Sequence, residues 1–187
     1  MNTKTKKLST VSMVLCGMFA ALVAIGAFIQ IPVPYMDYFT LQFFFVLLAG
    51  LILGADKGAI SVGCYVLLGL VGVPIFAAGG GIGYIFRPSF GYLVGFIVSA
   101  YVTGKVCEKL KASYKNYLLA CLAGFVVTYA IGIVYKFIIL NFYAHTPATL
   151  GVIFLSCFPL DMPGDFVLCL LAAGVGLRMR KSGFNLS

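Results

Sequence analysis

The chain has 187 residues, of which 62% are hydrophobic and only 10% charged, with a mean hydropathy of +1.09. Soluble domains carry about 25% charged residues, so this composition excludes a water-soluble enzyme and defines an integral membrane protein. A span needs about 20 apolar residues, so the length admits about six helices and leaves no room for a soluble catalytic domain. The expected organisation is all-α, a single integral membrane domain over residues 1–187.

In chain order, the first predicted helix covers residues 11–30. Its basic lead of Lys4, Lys6 and Lys7 looks like a secretory signal, but the apolar run exceeds the usual h-region and further spans follow, so it reads as a retained helix. Pro32 and Pro34 end it by removing backbone donors, and residues 32–39 read as loop or extended chain. The second helix, 40–54, is short, which points to tilt, a reentrant start or a thin bilayer. A tight Ala55-Asp56-Lys57-Gly58 turn leads to the third helix, 59–73, closed by Gly72 and Pro74.

Between Ala77 and Ser89, glycines at 79, 80, 81 and 83 make a helix costly. This segment reads as a shaped loop at membrane depth, a backbone tolerated only against protein or around a cavity. The fourth helix, 90–107, runs into a linker with Lys105, Glu108, Lys109, Lys111 and Lys115. The fifth, 116–143, is long. A connector over 144–163 holds His145, Pro147 and an apolar piece at 150–158, and the sixth helix, 164–179, ends in Arg178, Arg180 and Lys181.

Threaded this way, eleven of the thirteen Lys and Arg residues fall on one side. The positive-inside rule places that side, and both termini, in the cytoplasm. Its basic surface suits anionic lipid or a cytoplasmic partner. The connectors after the first, third and fifth helices then share the outer face, where they can form one pocket.

The two cations off the inner face are Arg87, in the glycine-rich loop, and Lys136, about 10 Å below the outer end of the fifth helix. A cation inside a span signals a functional site or an ion pair, although Lys136 is also placed to snorkel to headgroups. Asp161 and Asp165 open the sixth helix. Asp161 reads as a cap for free N–H groups, whereas Asp165, beside Gly164, is placed to accept hydrogen bonds from a ligand or to pair with Lys136. Tyr38 and Phe39 read as pocket walls, and the loop glycines with Tyr84 and Phe86 as a close approach to a ligand. His145 reads as a solvated loop residue. The six cysteines are scattered singly and read as small core residues, with no disulfide framework and no metal site. On the first helix, Gly17 with Ala21 and Ala20 with Ala24 form small-residue pairs that allow close helix packing.

Several of these pieces coincide with one family. Pro32-Val33-Pro34 with Thr40-Leu41-Gln42, then Leu48-Ala49-Gly50 and Gly58, are followed by Gly69-Leu70-Val71-Gly72-Val73-Pro74-Ile75-Phe76. Next come glycines 79 to 81, Pro88, Gly91-Tyr92-Leu93-Val94-Gly95-Phe96 and Pro163-Gly164-Asp165. In this order the sequence resembles BioY, the biotin-binding S component of energy-coupling factor (ECF) vitamin transporters, from about Val11 to Arg180. The resemblance implies the six-helix S-component fold, a biotin pocket under the outer loops, and a face on the first helix, here Ala20 and Ala24, that docks on a transmembrane coupling protein driven by two cytoplasmic ATPases.

Biotin carries two urea N–H donors, an apolar fused ring and a carboxylate tail, which suits a mostly apolar pocket with few polar groups. The expected binding residues are Asp165 for the urea, Arg87 or Lys136 for the tail, and Tyr84, Tyr92, Gln42, Phe39 and the backbone of Gly80 around them. Position 168 is Leu where the resemblance leads to a Lys, and Arg87 stands where it leads to a small residue, so the cation is expected at Arg87 or Lys136.

The chain lacks G-x-x-x-x-G-K-[ST] and so hydrolyses no ATP by that route. Neither enzymatic activity, cofactor, metal nor nucleic-acid partner is expected. A plasma-membrane location is expected, with lipid around the bundle. The competing readings are an S component for another small vitamin and an intramembrane enzyme using Asp161 and Asp165 as a carboxylate pair; the single His and the lack of a nucleophile argue against the latter.

Overall fold

Four helices among the described residues are long and apolar enough to cross a membrane: α1 (Thr10–Phe28), α4 (Phe90–Lys109), α5 (Tyr114–Ile138, prolonged by a π-helical turn, Ile139–Tyr143) and α7 (Asp161–Lys181). The computed structural model describes residues 9–32, 38–146, 148–157 and 161–182. The basic residues Lys4, Lys6 and Lys7, and Val33, Pro34, Pro147, Pro159 and Leu160, lie outside them. Shorter helices complete the bundle: α2 (Gln42–Leu53), α3 (Ala55–Leu70) and α6 (Leu150–Cys157).

Helix α2 is the axis. Ten of its twelve residues are buried, as expected for a helix apolar on all sides, and it touches α1, α3, α4 and α7. It enters from a small hairpin in which β1 (Gln30–Pro32) pairs antiparallel with β2 (Tyr38–Thr40), Ile31 opposite Phe39. The Leu41 N–H closes the junction on the Gly26 carbonyl at 3.1 Å. This hairpin fixes Phe39, Thr40 and Gln42 at one end of the bundle. Helix α1 therefore stops at Phe28, before the prolines, because its next residues join the hairpin.

At the other end of α2 the turn is a single residue. Gly54 takes φ 82°, and α3 starts at once with Ala55, whose N–H donates to Glu108 Oε1 of α4 at 2.8 Å. The expected four-residue turn is replaced by this capped junction, since a glycine at positive φ reverses the chain alone. At its far end α3 stops at Leu70: Val73 N–H reaches the Leu68 carbonyl and Gly72 N–H the Gly69 carbonyl, a Schellman closure.

The loop that follows is pinned to α3 by Gly81 N–H on the Gly69 carbonyl at 2.7 Å, then forms a 3₁₀ turn at Ile82–Phe86 that the glycine content had hidden. Helices α4 and α5 make the most extensive contact of the bundle. They approach closely because Gly91 faces the Tyr135 side chain, Gly95 the Thr128 backbone and Gly132 the Tyr92 ring.

Helix α7 begins at Asp161, three residues earlier than expected. Pro163 falls in its first turn, where the missing N–H has no intrahelical partner to lose. The apolar piece of the preceding connector is a helix, α6, too short to show periodicity. His145 is exposed, in a left-handed conformation at φ 51°. Five cysteines are buried, but Cys64 faces outward.

The small residues of α1 divide between two faces. Ala20 is 7% exposed and packs inside the bundle with Phe19 and Val23, and Ala24 is half-buried, whereas Gly17 and Ala21 are exposed. Of the pair expected to dock a partner, Ala20 is thus already covered by its own chain, because helical geometry turns it towards the core side of α1.

Packing at the capped junction is tight enough to test. A Cβ at Gly104 would lie 2.6 Å from both the Ala55 Cα and the Gly54 carbonyl carbon, whereas one at Gly63 meets nothing within 4 Å. Gly104→Val is expected to destabilise the bundle by about 1–3 kcal/mol and Gly63→Ala to be neutral or mildly stabilising. Thermal unfolding in detergent, with equal midpoints for the two variants, would contradict this packing.

Candidate functional site

A cavity opens at the end of the bundle where the hairpin, the glycine-rich connector, the start of α4, the distal half of α5 and the start of α7 converge. Its floor and walls are aromatic. Phe43 of α2 lies 5.9 Å from Phe96 of α4, Tyr129 is edge-on to Tyr92 at 5.8 Å, and Phe39 from β2 packs over Gly164. Tyr84 joins from the 3₁₀ turn, its ring tilted against that of Phe76 at 4.6 Å.

Few polar groups face this space. Asp165 is held by Tyr129, whose hydroxyl donates to Oδ2 at 2.9 Å. Lys136 lies across the cavity wall on α5, and its Nζ donates to Ser156 Oγ of α6 at 3.5 Å rather than to Asp165. Ser156 can accept because its own proton goes to the Ile153 carbonyl at 2.7 Å. Gln42, 4% exposed, donates from Nε2 to Tyr65 at 2.5 Å and accepts from Thr40 at 3.1 Å. The Tyr92 hydroxyl meets Cys157 Sγ at 3.1 Å, so α6 is tied to the site through Tyr92 and Lys136.

The cavity therefore gathers six of the eight residues expected to bind, Asp165, Lys136, Tyr84, Tyr92, Gln42 and Phe39, together with Tyr38, expected as a wall. Two of the eight stand outside it. Arg87 is exposed, its guanidinium 5.3 Å from the centre of the Tyr84 ring, and it is not part of the lining. Gly80 packs against the Val73 carbonyl and the Gly69 oxygen instead, and Ala77 and Ala78 supply the wall. Asp161 lines the cavity as well as opening α7.

Sequence reasoning missed Tyr129, Phe43, Phe96, Leu93, Thr40 and Ser89 in this lining. Only Tyr129 carried a usable signal, as a hydroxyl seven residues, two helical turns, before Lys136 on the same face of α5.

The arrangement is a membrane-embedded binding chamber: apolar walls, two carboxylates at the head of α7, a cation on α5, and an amide between neighbouring hydroxyls. The comparisons with known proteins agree with that class. The BioY family matches residues 1–184, and the chain belongs to this family.

The probable biotin transporter BioY of Lysinibacillus sphaericus is 40% identical, covering 94% of this chain and 90% of that protein. The biotin transporter BioY of Thermotoga maritima is 39% identical over 88% of this chain and 93% of its own length. A crystal structure of the S-component for biotin from an ECF-type ABC transporter superposes with a TM-score of 0.80 at 25% identity, covering 97% of this chain and 95% of the other.

The Tyr129–Asp165 bond should contribute to stability even with the cavity empty. Tyr129→Phe leaves the half-buried carboxylate oxygen without its donor and is expected to cost about 1–3 kcal/mol. An unfolding midpoint in detergent equal to that of the unsubstituted protein would refute the bond.

Proposed function

We propose that this chain is the substrate-binding S subunit of an ECF transporter, which captures biotin for uptake driven by partner subunits. It is a multi-pass protein of the plasma membrane and a transport component, not an enzyme. The observation that carries the reading is one chamber in which Asp165, Lys136 and Gln42 face an aromatic interior, in a chain of the BioY family.

The chemistry of biotin fits that chamber group by group. Asp165 accepts from a urea N–H with the capacity Tyr129 leaves on it, and the aromatic walls of Phe39, Phe43 and Phe96 cover the fused ring. Lys136 neutralises the tail carboxylate. Assigning the tail to Lys136 over Arg87 follows from position, since Lys136 lines the cavity and Arg87, exposed over the Tyr84 ring, does not. Tyr84 and Tyr92 add hydroxyls, and no cofactor takes part.

The proposed topology has six spans with both termini in the cytoplasm. Helices α2 and α3 serve as two short spans, about 18 and 24 Å long at 1.5 Å per residue, joined at Gly54. Lys57, Lys105 and Arg180 cluster at the end of the bundle opposite the chamber, which by the positive-inside rule faces the cytoplasm and anionic lipid. The transmembrane coupling protein is proposed to dock on the exposed face of α1, where Gly17 and Ala21 alternate with Val14, Met18 and Ile25 and Ala24 sits at the edge. Two cytoplasmic ATPases supply the energy, since this chain has no phosphate-binding loop of that kind.

Equilibrium titration of the purified subunit with biotin tests the reading. Asp165→Ala should weaken binding about a hundredfold, because a urea donor is left unpaired in a dry site. Lys136→Met should weaken it far more than Arg87→Ala. No binding by the unsubstituted protein would refute the function; a larger loss from Arg87→Ala would refute the assignment of the tail.

A further inference from the structure

Tyr65 lies behind the cavity wall, fully buried and not part of the lining, yet it sits in the middle of a hydrogen-bond relay that crosses the site. Its hydroxyl donates to the Ile75 carbonyl at 3.1 Å and accepts from Gln42 Nε2 at 2.5 Å, while Thr40 Oγ1 donates to Gln42 Oε1 at 3.1 Å. The relay thus joins the hairpin to the glycine-rich connector through a residue that lines the cavity.

Counting protons gives the relay a fixed direction. A carbonyl oxygen only accepts, so the single proton of Tyr65 is committed to Ile75. The phenol oxygen can then only accept, and the carboxamide of Gln42 must turn its NH₂ towards Tyr65 and its oxygen towards Thr40. A flipped amide would set an acceptor against an acceptor in a buried site, the costly arrangement. One hydrogen of Nε2 is used by Tyr65. The second meets no acceptor among the described residues, and Gln42 borders the cavity.

We propose that Tyr65 is a positioning residue that fixes the polarity of Gln42, so that Gln42 donates an N–H to an oxygen of the ligand. This rests on the reading of the cavity as a biotin site and deepens it: Asp165 selects for donors on the ligand, and Gln42 selects for an acceptor. Biotin offers two such oxygens, the urea carbonyl and the tail carboxylate. The ring of Tyr65 also packs edge-on to Phe76 at 5.5 Å, so Tyr65→Phe retains the packing while deleting the proton that sets the direction.

The test is a double-mutant cycle read by biotin affinity. Tyr65→Phe and Gln42→Leu should each weaken binding about tenfold or more, and the double variant should bind no more weakly than Gln42→Leu alone, because Tyr65 acts through Gln42. Additive losses would mean a packing role only and would overturn the proposal, as would unchanged affinity in Tyr65→Phe. Gln42→Glu, which replaces the donor by an acceptor, should bind at least as weakly as Gln42→Leu; affinity equal to that of the unsubstituted protein would also overturn it. With a biotin analogue whose tail ends in a methyl group and carries no oxygen, a Gln42→Leu penalty that disappears assigns the contact to the tail, and one that persists assigns it to the urea oxygen. Failure here leaves biotin binding by the unsubstituted protein intact, whereas loss of that binding refutes the function itself.

Discussion

A carboxylate at the head of an apolar helix has to find donors within the protein, because the surrounding medium supplies none. Asp165 meets this constraint through the Tyr129 hydroxyl, and the rest of the site is arranged around that bond. It ties α7 to α5 at the level of the cavity, and it places Tyr129 edge-on to Tyr92 of α4 and against Phe125. Three helices are thereby brought to one level by a polar contact set in an aromatic layer. The same constraint governs Gln42, whose amide oxygen accepts from Thr40 of the hairpin and one of whose amide hydrogens goes to Tyr65.

Below this layer the bundle is held by close approach. Helices without a water-driven force between them associate through packing, so small residues at the contacts matter most. The glycines of α4 and α5 bring Tyr135 and Tyr92 across the interface, and those two tyrosines reach the roof and the wall of the site: Tyr135 donates to the Ile85 carbonyl of the 3₁₀ turn, and Tyr92 meets Cys157 of α6. Packing in the span and geometry at the mouth are one structure, since the residues that fill the glycine gaps are also those that pin the elements around the cavity.

Much of the bundle was legible in the sequence because membrane spans advertise themselves by length and hydropathy, and prolines and glycines punctuate them. The elements that escaped are those whose cause is tertiary. The eight residues of α6 are too few for a helical period, the 3₁₀ turn is hidden behind glycines, and Ala55 starts a helix only because Glu108, 53 residues later, caps it. The cavity lining was legible where a polar residue stood out against an apolar background, as Asp165, Lys136 and Gln42 do. It was not legible at Tyr129, Phe43 or Phe96, since aromatic residues are common throughout this chain and only the fold shows which ones face inward. Gly80 and Arg87 are also unusual in the sequence, but neither lines the cavity: one packs against backbone and the other lies exposed over the Tyr84 ring.

The central claim, that polar groups from several outer elements converge on one ligand, is tested most directly by a structure of the subunit determined with biotin. The account predicts the ligand in the aromatic chamber with its urea within hydrogen-bond distance of Asp165 and its carboxylate nearest Lys136. Biotin bound elsewhere on the chain, or an empty chamber at saturating ligand, would contradict it.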